Sequence, residues 1–335
     1  MQVLRILGFP ISIIYALVVY VRNFLFDIGF FKSKEFKTPL ICVGNLSAGG
    51  TGKTPMIELL VETFKKEYKP AVLSRGYGRK SIGFQKAGEA STVEILGDEP
   101  FQIHSKFPDL IVAVDADRKK GIQLLEDNDA PDIIFLDDAY QHRKVKPSFS
   151  ILLTAHDNLY FKDWYLPTGN LRDSKKEVNR ADVVVVTKCP KTITEAEQNI
   201  IIKEIDPKKN QQVLFSYLEY DSELKGLKEK FTLADLKSKK ITLVTGIANP
   251  DPLLNYLSEK GVVVEHLKYR DHHFFSENEI TVFNSKGFVL TTEKDYVRLK
   301  GLVKNLAYIA IKHQFKNDGH VILKQAIENS MNKEA

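Results

Sequence analysis

The sequence predicts an α/β protein built on a parallel sheet with helices on both faces, and three observations carry that prediction. Short continuous apolar runs recur at residues 39–43, 71–73, 110–114, 133–136, 150–153 and 183–186. Amphipathic or loop stretches separate them, notably at 54–68, 99–105 and 119–126. A glycine-rich segment joins the first run to the first helix. Strands with one wet face alternate apolar and polar residues, whereas uninterrupted runs mark strands buried on both sides. In the helix at 54–68, Met56, Leu59, Leu60 and Phe64 recur at helical spacing and form one apolar face.

A second, smaller α/β set of runs follows at 213–217, 241–245, 262–266, 287–290 and 306–311. The lysine-rich stretch 224–240 reads as a solvated connector. The expected organisation has an apolar N-terminal region 1–37, a core domain 38–150 and a second domain with its linkers at 151–310. For the C-terminal segment 311–335, a return to the core is left open. No repeat of solenoid period and no low-complexity tract interrupts the pattern.

Composition narrows the function classes. Of the 335 residues, 43% are hydrophobic and 27% charged, the balance of a soluble globular protein. A formal net charge of +5 suits an anionic ligand or an anionic membrane surface, and without a long basic tract it does not support nucleic-acid binding. Nothing in the pattern calls for an obligate protein partner. Cys42 and Cys189 sit in or just after apolar runs, without disulfide framework or metal spacing, and read as buried thiols in a reducing compartment.

Residues 6–21 carry no charge and are rich in Ile, Val, Leu and Tyr. As a helix they span about 24 Å, short of the roughly 30 Å of a hydrocarbon core, and Pro10 shortens the helix further. Neither a basic start nor a small-residue cleavage site marks a secretion signal. A buried core helix and a helix lying in the membrane interface both fit. Arg22, Lys32, Lys34 and Lys37, placed to meet lipid phosphates, favour the interface.

The chemistry begins with Ser47-Ala48-Gly49-Gly50-Thr51-Gly52-Lys53-Thr54, which follows an expected strand and opens an expected helix. Glycines let backbone N–H groups close around phosphate oxygens, and the helix N-terminus favours negative charge. In such a loop Lys53 bridges the β- and γ-phosphates of ATP and the Thr54 hydroxyl ligates Mg2+. The strict pattern has Gly where Ser47 stands. A magnesium site also needs an acid at a strand end, and Asp137 and Asp138 close the run 133–136. Two switch classes fit less well. Partner-regulated ATPases of this kind often carry lysine at the position of Ala48. A GTPase reads its base with Asn-Lys-x-Asp, where this chain has Thr187-Lys188-Cys189-Pro190.

These motifs belong to a longer ordered series. Val43-Gly44-Asn45-Leu46 leads into Gly49-Gly50-Thr51-Gly52-Lys53-Thr54-Pro55, followed by Leu73-Ser74-Arg75-Gly76-Tyr77-Gly78 and Gly97-Asp98-Glu99-Pro100. Next come Asp137-Asp138-Ala139-Tyr140-Gln141-His142 and Leu166-Pro167-Thr168-Gly169-Asn170-Leu171-Arg172. Gly246-Ile247-Ala248-Asn249-Pro250, Asp271-His272-His273-Phe274 and Thr292-Glu293-Lys294-Asp295 complete it. Over most of the chain the series resembles the tetraacyldisaccharide 4′-kinase family, the lipid A 4′-kinases of Gram-negative bacteria. It departs from that family at Ala139, where Gly is usual.

The resemblance implies a phosphate-loop NTPase-type domain joined to a smaller α/β domain, with the substrate between them, and an N-terminal membrane-associated helix. It implies ATP-dependent phosphorylation of the 4′-hydroxyl of a tetraacyl glucosamine-disaccharide 1-phosphate, at the cytoplasmic face of the bacterial inner membrane. It also implies Asp98 as the base for that hydroxyl, supported by a histidine of the second domain, with His272 preferred over His273. On the residues alone, Gly97-Asp98-Glu99-Pro100 is a turn and cap before a helix. Glu99 is a candidate for the Mg2+ shell through water. Arg75, Arg118 and Arg172 stand in or beside glycine- or proline-marked loops and are candidates for the substrate's anionic groups. Arg118 equally opens the solvated face of a helix, and Arg79 has the same alternative. Gln141 and His142 are candidate lining residues. An Asp-His-His metal phosphoesterase is the other chemical reading of 271–273, but it needs more Asp and His ligands than Asp115 and Asp117 supply.

Overall fold

The computed structural model describes residues 8–237 and 239–332. Residues 6 and 7 of the expected apolar segment, the rest of the N-terminal region before them, Ser238 of the expected connector and residues 333–335 lie outside the described residues. In chain order come α1 (Phe9–Asp27), β1 (Leu40–Asn45), α2 (Lys53–Phe64), β2 (Pro70–Ser74), β3 (Gln85–Lys86), α3 (Val93–Leu96) and α4 (Asp98–Lys106). They are followed by β4 (Ile111–Val114), α5 (Arg118–Asp129), β5 (Ile133–Asp137), β6 (Phe149–Ala155), β7 (Val183–Thr187), α6 (Glu195–Ile205) and β8 (Gln212–Tyr220). Then come β9 (Glu223–Leu224), β10 (Phe231–Thr232), β11 (Ile241–Thr245), α7 (Asp251–Glu259), β12 (Val264–Lys268) and α8 (Glu277–Ser285). The chain closes with β13 (Phe288–Thr292), α9 (Glu293–Leu299), β14 (Leu306–Ile309), β15 (Ile311–Phe315) and α10 (Gly319–Met331).

A nine-stranded sheet in the order β15-β8-β7-β6-β1-β5-β2-β4-β3 organises the large lobe. Its inner strands run parallel, as the continuous apolar runs require, and every residue of β1, β5, β6 and β7 is buried. Alternate residues serve opposite cores: Leu40 and Cys42 face one side with Leu136 and Leu152, while Ile41 and Val43 face α2 and α10 with Met56, Phe64, Leu323 and Ile327. The sheet is mixed rather than wholly parallel, because each edge strand turns back antiparallel, β15 on β8 and β3 on β4. Residue 150, the expected limit of the core domain, lies inside β6, which pairs with β1 at the centre of this sheet. The run 213–217 likewise belongs to β8 of the large sheet. Run spacing identifies a strand but carries no record of which sheet receives it.

A second, four-stranded sheet, β12-β11-β13-β14, is parallel throughout and organises the small lobe. The segment expected as a solvated connector instead forms the β9–β10 hairpin and a short turn of helix, which bury Leu224, Leu233 and Leu236 in the small lobe's core. Its lysines lie among these apolar residues in sequence, so composition alone hid the buried set. The chain leaves the large sheet through β8 and re-enters it through β15, with Ala310 alone between β14 and β15.

Helix α1 has its polarity inverted. Ser12, Val19 and Asn23 are its buried residues, while Ile11, Ile13, Ile14, Leu17, Val18, Tyr20 and Val21 are each 46–64% exposed. That excludes the buried core helix. Pro10 sits in the first turn, where its missing N–H costs nothing, so it starts the helix rather than shortening it. The helix runs past the expected end to Asp27, about 28 Å for its 19 residues. Polar bonds dock it: Ser12 Oγ donates to Thr168 Oγ1 at 2.8 Å, and Asn23 Nδ2 to the fully buried Asp173 at 2.7 Å.

Helix α4 ties the lobes together. Its Lys106 reaches Glu58 of α2 at 2.6 Å and Glu293 of α9 at 3.2 Å. Burial, then the facing Glu58 carboxylate, push the Glu293 carboxyl up to about 7. A carboxyl raised in the folded state binds more protons there than in the unfolded chain, so stability falls as pH rises from the unfolded value to about 7. Replacing Glu293→Gln should flatten that slope and stabilise the protein at pH 8 by on the order of 1–3 kcal/mol, with no gain near pH 4. Urea denaturation across that range measures it; an unchanged slope would assign the titration to another group.

Candidate active site

The loop between β1 and α2 turns on two glycines of positive φ, Gly49 at 124° and Gly52 at 87°. Gly52 is the residue before the first helical turn, so its freedom sets the entry into α2. Ser47 has no positive φ, so the glycine of the strict pattern is not required there. The loop is held from three sides. Asn45 Nδ2 donates to Thr51 Oγ1 at 2.9 Å, Thr187 Oγ1 donates to the Thr51 carbonyl at 2.8 Å, and Ala48 N donates to the Asn170 carbonyl at 2.7 Å. The last bond makes the stretch 166–172 a support for the phosphate loop, and Tyr15 of α1 donates to the Arg172 carbonyl beside it at 3.0 Å.

Lys53 points across the loop to Asp138, 3.7 Å away. Arg172 binds the same carboxylate, with Nη1 donating to Oδ2 at 3.1 Å, and also the Asn45 side chain. Burial pushes the Asp138 carboxyl up, but Lys53 and Arg172 outweigh it and hold it below the usual range. Asp137 differs. Its Oδ2 accepts from Ser74 Oγ at 3.0 Å, while its buried Oδ1 has no hydrogen-bond partner. Burial, Asp138 and Glu99 together push its carboxyl up to about 6. That places Glu99, at the start of α4, within electrostatic reach of the end of β5. Thr54 follows Lys53 in the first turn of α2 and is partly exposed.

Asp98 begins α4 and is 3% exposed. His272, in a left-handed conformation with φ 59°, brings Nδ1 to 2.5 Å from Asp98 Oδ2. Lys294 donates to His272 Nε2 at 3.1 Å, so the ring carries its proton on Nδ1 and directs it at Asp98. His273 does not share this contact: it faces Glu279 at 3.0 Å and stacks on Tyr269. Arg298, absent from the sequence-derived candidates, donates Nε to Asp98 Oδ1 at 2.7 Å and Nη2 to Oδ2. Both side chains of that pair are 4% exposed. Burial alone raises the Asp98 carboxyl, but the bonds from His272 and Arg298 prevail and hold it below the usual range. Arg298 lies on α9 one helical turn after Lys294 and hence on the same face, but nothing in the sequence aims that face at Asp98.

The remaining candidates separate. Arg75 is exposed at the end of β2. Arg118 does not lie on a solvated helix face: it is 2% exposed, donating to the Asp115 carbonyl at 2.8 Å and the Asp137 carbonyl at 3.5 Å. Arg79 donates to the Gly83 carbonyl at 2.7 Å and closes its own loop. Gln141 Nε2 donates to the Asn45 carbonyl at 2.8 Å. His142 lines a small cavity with Cys42, Arg118 and Tyr140, where burial holds its imidazole down at about 4 and therefore neutral.

A lysine-bearing phosphate loop, acids at the neighbouring strand end and a carboxylate bridged between lobes define a phosphate-loop kinase. The family model for Tetraacyldisaccharide-1-P 4′-kinase matches residues 4–331. A tetraacyldisaccharide 4′-kinase of Flavobacterium johnsoniae is 51% identical over 323 residues, 95% of this chain and 94% of that protein. One of Bacteroides thetaiotaomicron is 44% identical, over 87% of this chain and 82% of its own. The crystal structure of LpxK from Aquifex aeolicus in complex with ATP covers 98% of this chain and 99% of that one, with a TM-score of 0.81 at 30% identity. The chain belongs to the tetraacyldisaccharide-1-P 4′-kinase family, whose activity is that of an ATP-dependent kinase in lipid A biosynthesis. The switch and phosphoesterase alternatives fall with that result.

Arg298 generates a prediction. Without it, Asp98 stays buried with only the His272 N–H beside it, and its carboxyl should rise. If Asp98 governs the acid limb of the rate–pH profile, that limb should move to higher pH in Arg298→Gln, with turnover lowered at least about tenfold. An acid limb that stays where it is would mean that Arg298 does not govern Asp98.

Proposed function

We propose that the large lobe holds ATP and Mg2+ while Asp98, backed by His272 of the small lobe, receives the 4′-hydroxyl of the acylated disaccharide. The observation that carries this reading is the 2.5 Å contact of His272 with Asp98, which joins the two lobes at the start of the helix that also carries Glu99. In this reading Ser47, Ala48, Gly49, Gly50, Thr51, Gly52, Lys53 and Thr54 cradle the triphosphate. Lys53 lies in ion-pair range of Asp138 at 3.7 Å, and its ammonium donors serve the phosphate oxygens in this reading.

The residues suit Mg2+. Asp137 keeps a buried, unpartnered oxygen and an elevated carboxyl, the mark of a site in want of a cation. Among the described residues no group of three or more His, Cys, Asp or Glu forms a metal cage. Mg2+ is commonly bound by one or two carboxylates together with phosphate and water. Thr54, Asp137, Asp138 and, through water, Glu99 would hold it. Bound Mg2+ supplies charge neutralisation for the transferring phosphoryl oxygens.

Asp98 is a weak base, held ionised by Arg298 and His272. Its work is to accept the hydroxyl's hydrogen bond and orient the oxygen. The proton passes to Asp98 as the new O–P bond forms and ADP leaves with the old bridging oxygen. A loose phosphoryl transition state asks for alignment more than for base strength. In this reading exposed Arg75 receives the substrate's anionic groups, Arg172 faces them while holding Asp138, and buried Arg118 steadies the strand end that carries the two acids. Gln141 and His142 shape the wall behind it.

The membrane reading follows from α1. Its outward apolar side chains, with Trp164 at 59% exposure packed 5.6 Å from Phe9, form one face that we assign to the cytoplasmic surface of the inner membrane. We divide the chain into the helix region 1–37, a large lobe of 38–220 with 311–335, and a small lobe of 221–310. Trp164 is the sole tryptophan, so its fluorescence reports docking. With substrate lipid in anionic vesicles, the wild type and Lys53→Ala should both show a blue shift. Phosphate gain by mass spectrometry should fall by orders of magnitude in Lys53→Ala alone. Near-normal turnover in the folded variant would remove the loop assignment, and a wild type without a shift would remove the membrane face.

A further inference from the structure

Among the buried titratable groups, His313 has no part in the chemistry described so far, yet it touches the phosphate loop. It lies on β15, 2% exposed, with Nε2 at 2.9 Å from the Gly52 carbonyl and Nδ1 at 3.0 Å from Ser216 Oγ. A carbonyl only accepts, so Nε2 carries the proton and Nδ1 accepts from the serine hydroxyl. Burial holds the imidazole neutral, far below its usual value. The Gly52 carbonyl also accepts the first bond of α2, from Met56 N at 3.1 Å. In a trans peptide the carbonyl of one residue and the N–H of the next point in opposite directions. A donor that grips the Gly52 oxygen therefore aims the Lys53 N–H the other way, and that N–H is one of the free donors at the start of the helix. Gly52 itself fits the arrangement twice over. Its φ of 87° disfavours a side chain, and an added Cβ would stand 2.8 Å from His313 Nε2.

The placement of His313 adds a second consequence. Strands β8 and β15 are the pair through which the chain leaves the large lobe and returns to it. Ser216 is on β8 and His313 on β15, so the loop is tied to both connecting strands. We propose that His313 is a positioning residue for nucleotide binding: its Nε2–H sets the Gly52–Lys53 peptide plane and fastens the phosphate loop to the strand pair joining the lobes. The proposal rests on the phosphate-loop reading above, and the measurement separates the two.

Binding of MgATP to the full-length protein is measured by calorimetry, and KM and kcat with the disaccharide lipid, for the wild type, His313→Leu, His313→Gln and Ser216→Ala. Leucine removes the donor, so Kd and KM for ATP should rise roughly tenfold, with kcat at saturation changed less. Glutamine keeps an N–H donor of similar reach, so most of that loss should be recovered. Ser216→Ala leaves the ring without the bond that fixes its tautomer and should fall between the two. Equal losses in the leucine and glutamine variants would reduce His313 to packing, and wild-type affinity in His313→Leu would overturn the proposal outright. A wild type that fails to bind MgATP would instead overturn the phosphate-loop reading beneath it.

Discussion

Two buried charges, Asp98 on α4 and Arg298 on α9, hold the lobes in a fixed relation. Each side chain is 4% exposed, and separating them would leave an uncompensated charge in a poorly solvated place, which costs several kcal/mol. The pair therefore acts as a constraint more than as a source of net stability. Lys106 meets Glu293 at the other end of the same two helices, so α4 and α9 run antiparallel with a charge cluster at each end, about 12 Å apart along α4. Two separated clusters fix rotation as well as distance. The first of them also holds the Asp98 carboxyl below its usual range, so one contact serves the architecture and the role proposed for Asp98.

The large lobe shows the same economy in its phosphate loop. Few of the loop's supports are close in sequence: Thr187, Asn170 and His313 reach it from other strands and loops. Helix α1 joins this network through Asp173 and the Arg172 carbonyl, so the helix assigned to the membrane also buttresses the arginine that holds Asp138. Its polar inner face follows from that duty. An apolar inner face would leave Asp173 buried without its Asn23 partner.

What was legible in the sequence was local. The phosphate loop is one continuous motif, the paired acids end an apolar run, and continuous runs announced a sheet buried on both sides. Arg298 and His313 escaped because their partners lie 200 and 261 residues away, a relation no window of sequence carries. The membership of β8 in the large sheet escaped for the same reason. The hairpin within 224–240 was hidden by its lysines, since composition averages over the three leucines that the fold buries. The apolar character of α1 is plain in its sequence, but the partners of its inward Ser12 and Asn23, Thr168 and Asp173, lie about 150 residues away.

If Asp98 works as one unit with the small lobe, its carboxylate is productive only while His272 orients it. A double-mutant cycle on turnover, with Asp98→Ala, His272→Ala and the pair, measures that coupling. Residues acting as a unit are non-additive, so the double variant should be little slower than the worse single one, while MgATP affinity stays near that of the wild type. A double variant whose loss equals the product of the two single losses would contradict the account, because the two side chains would then act independently.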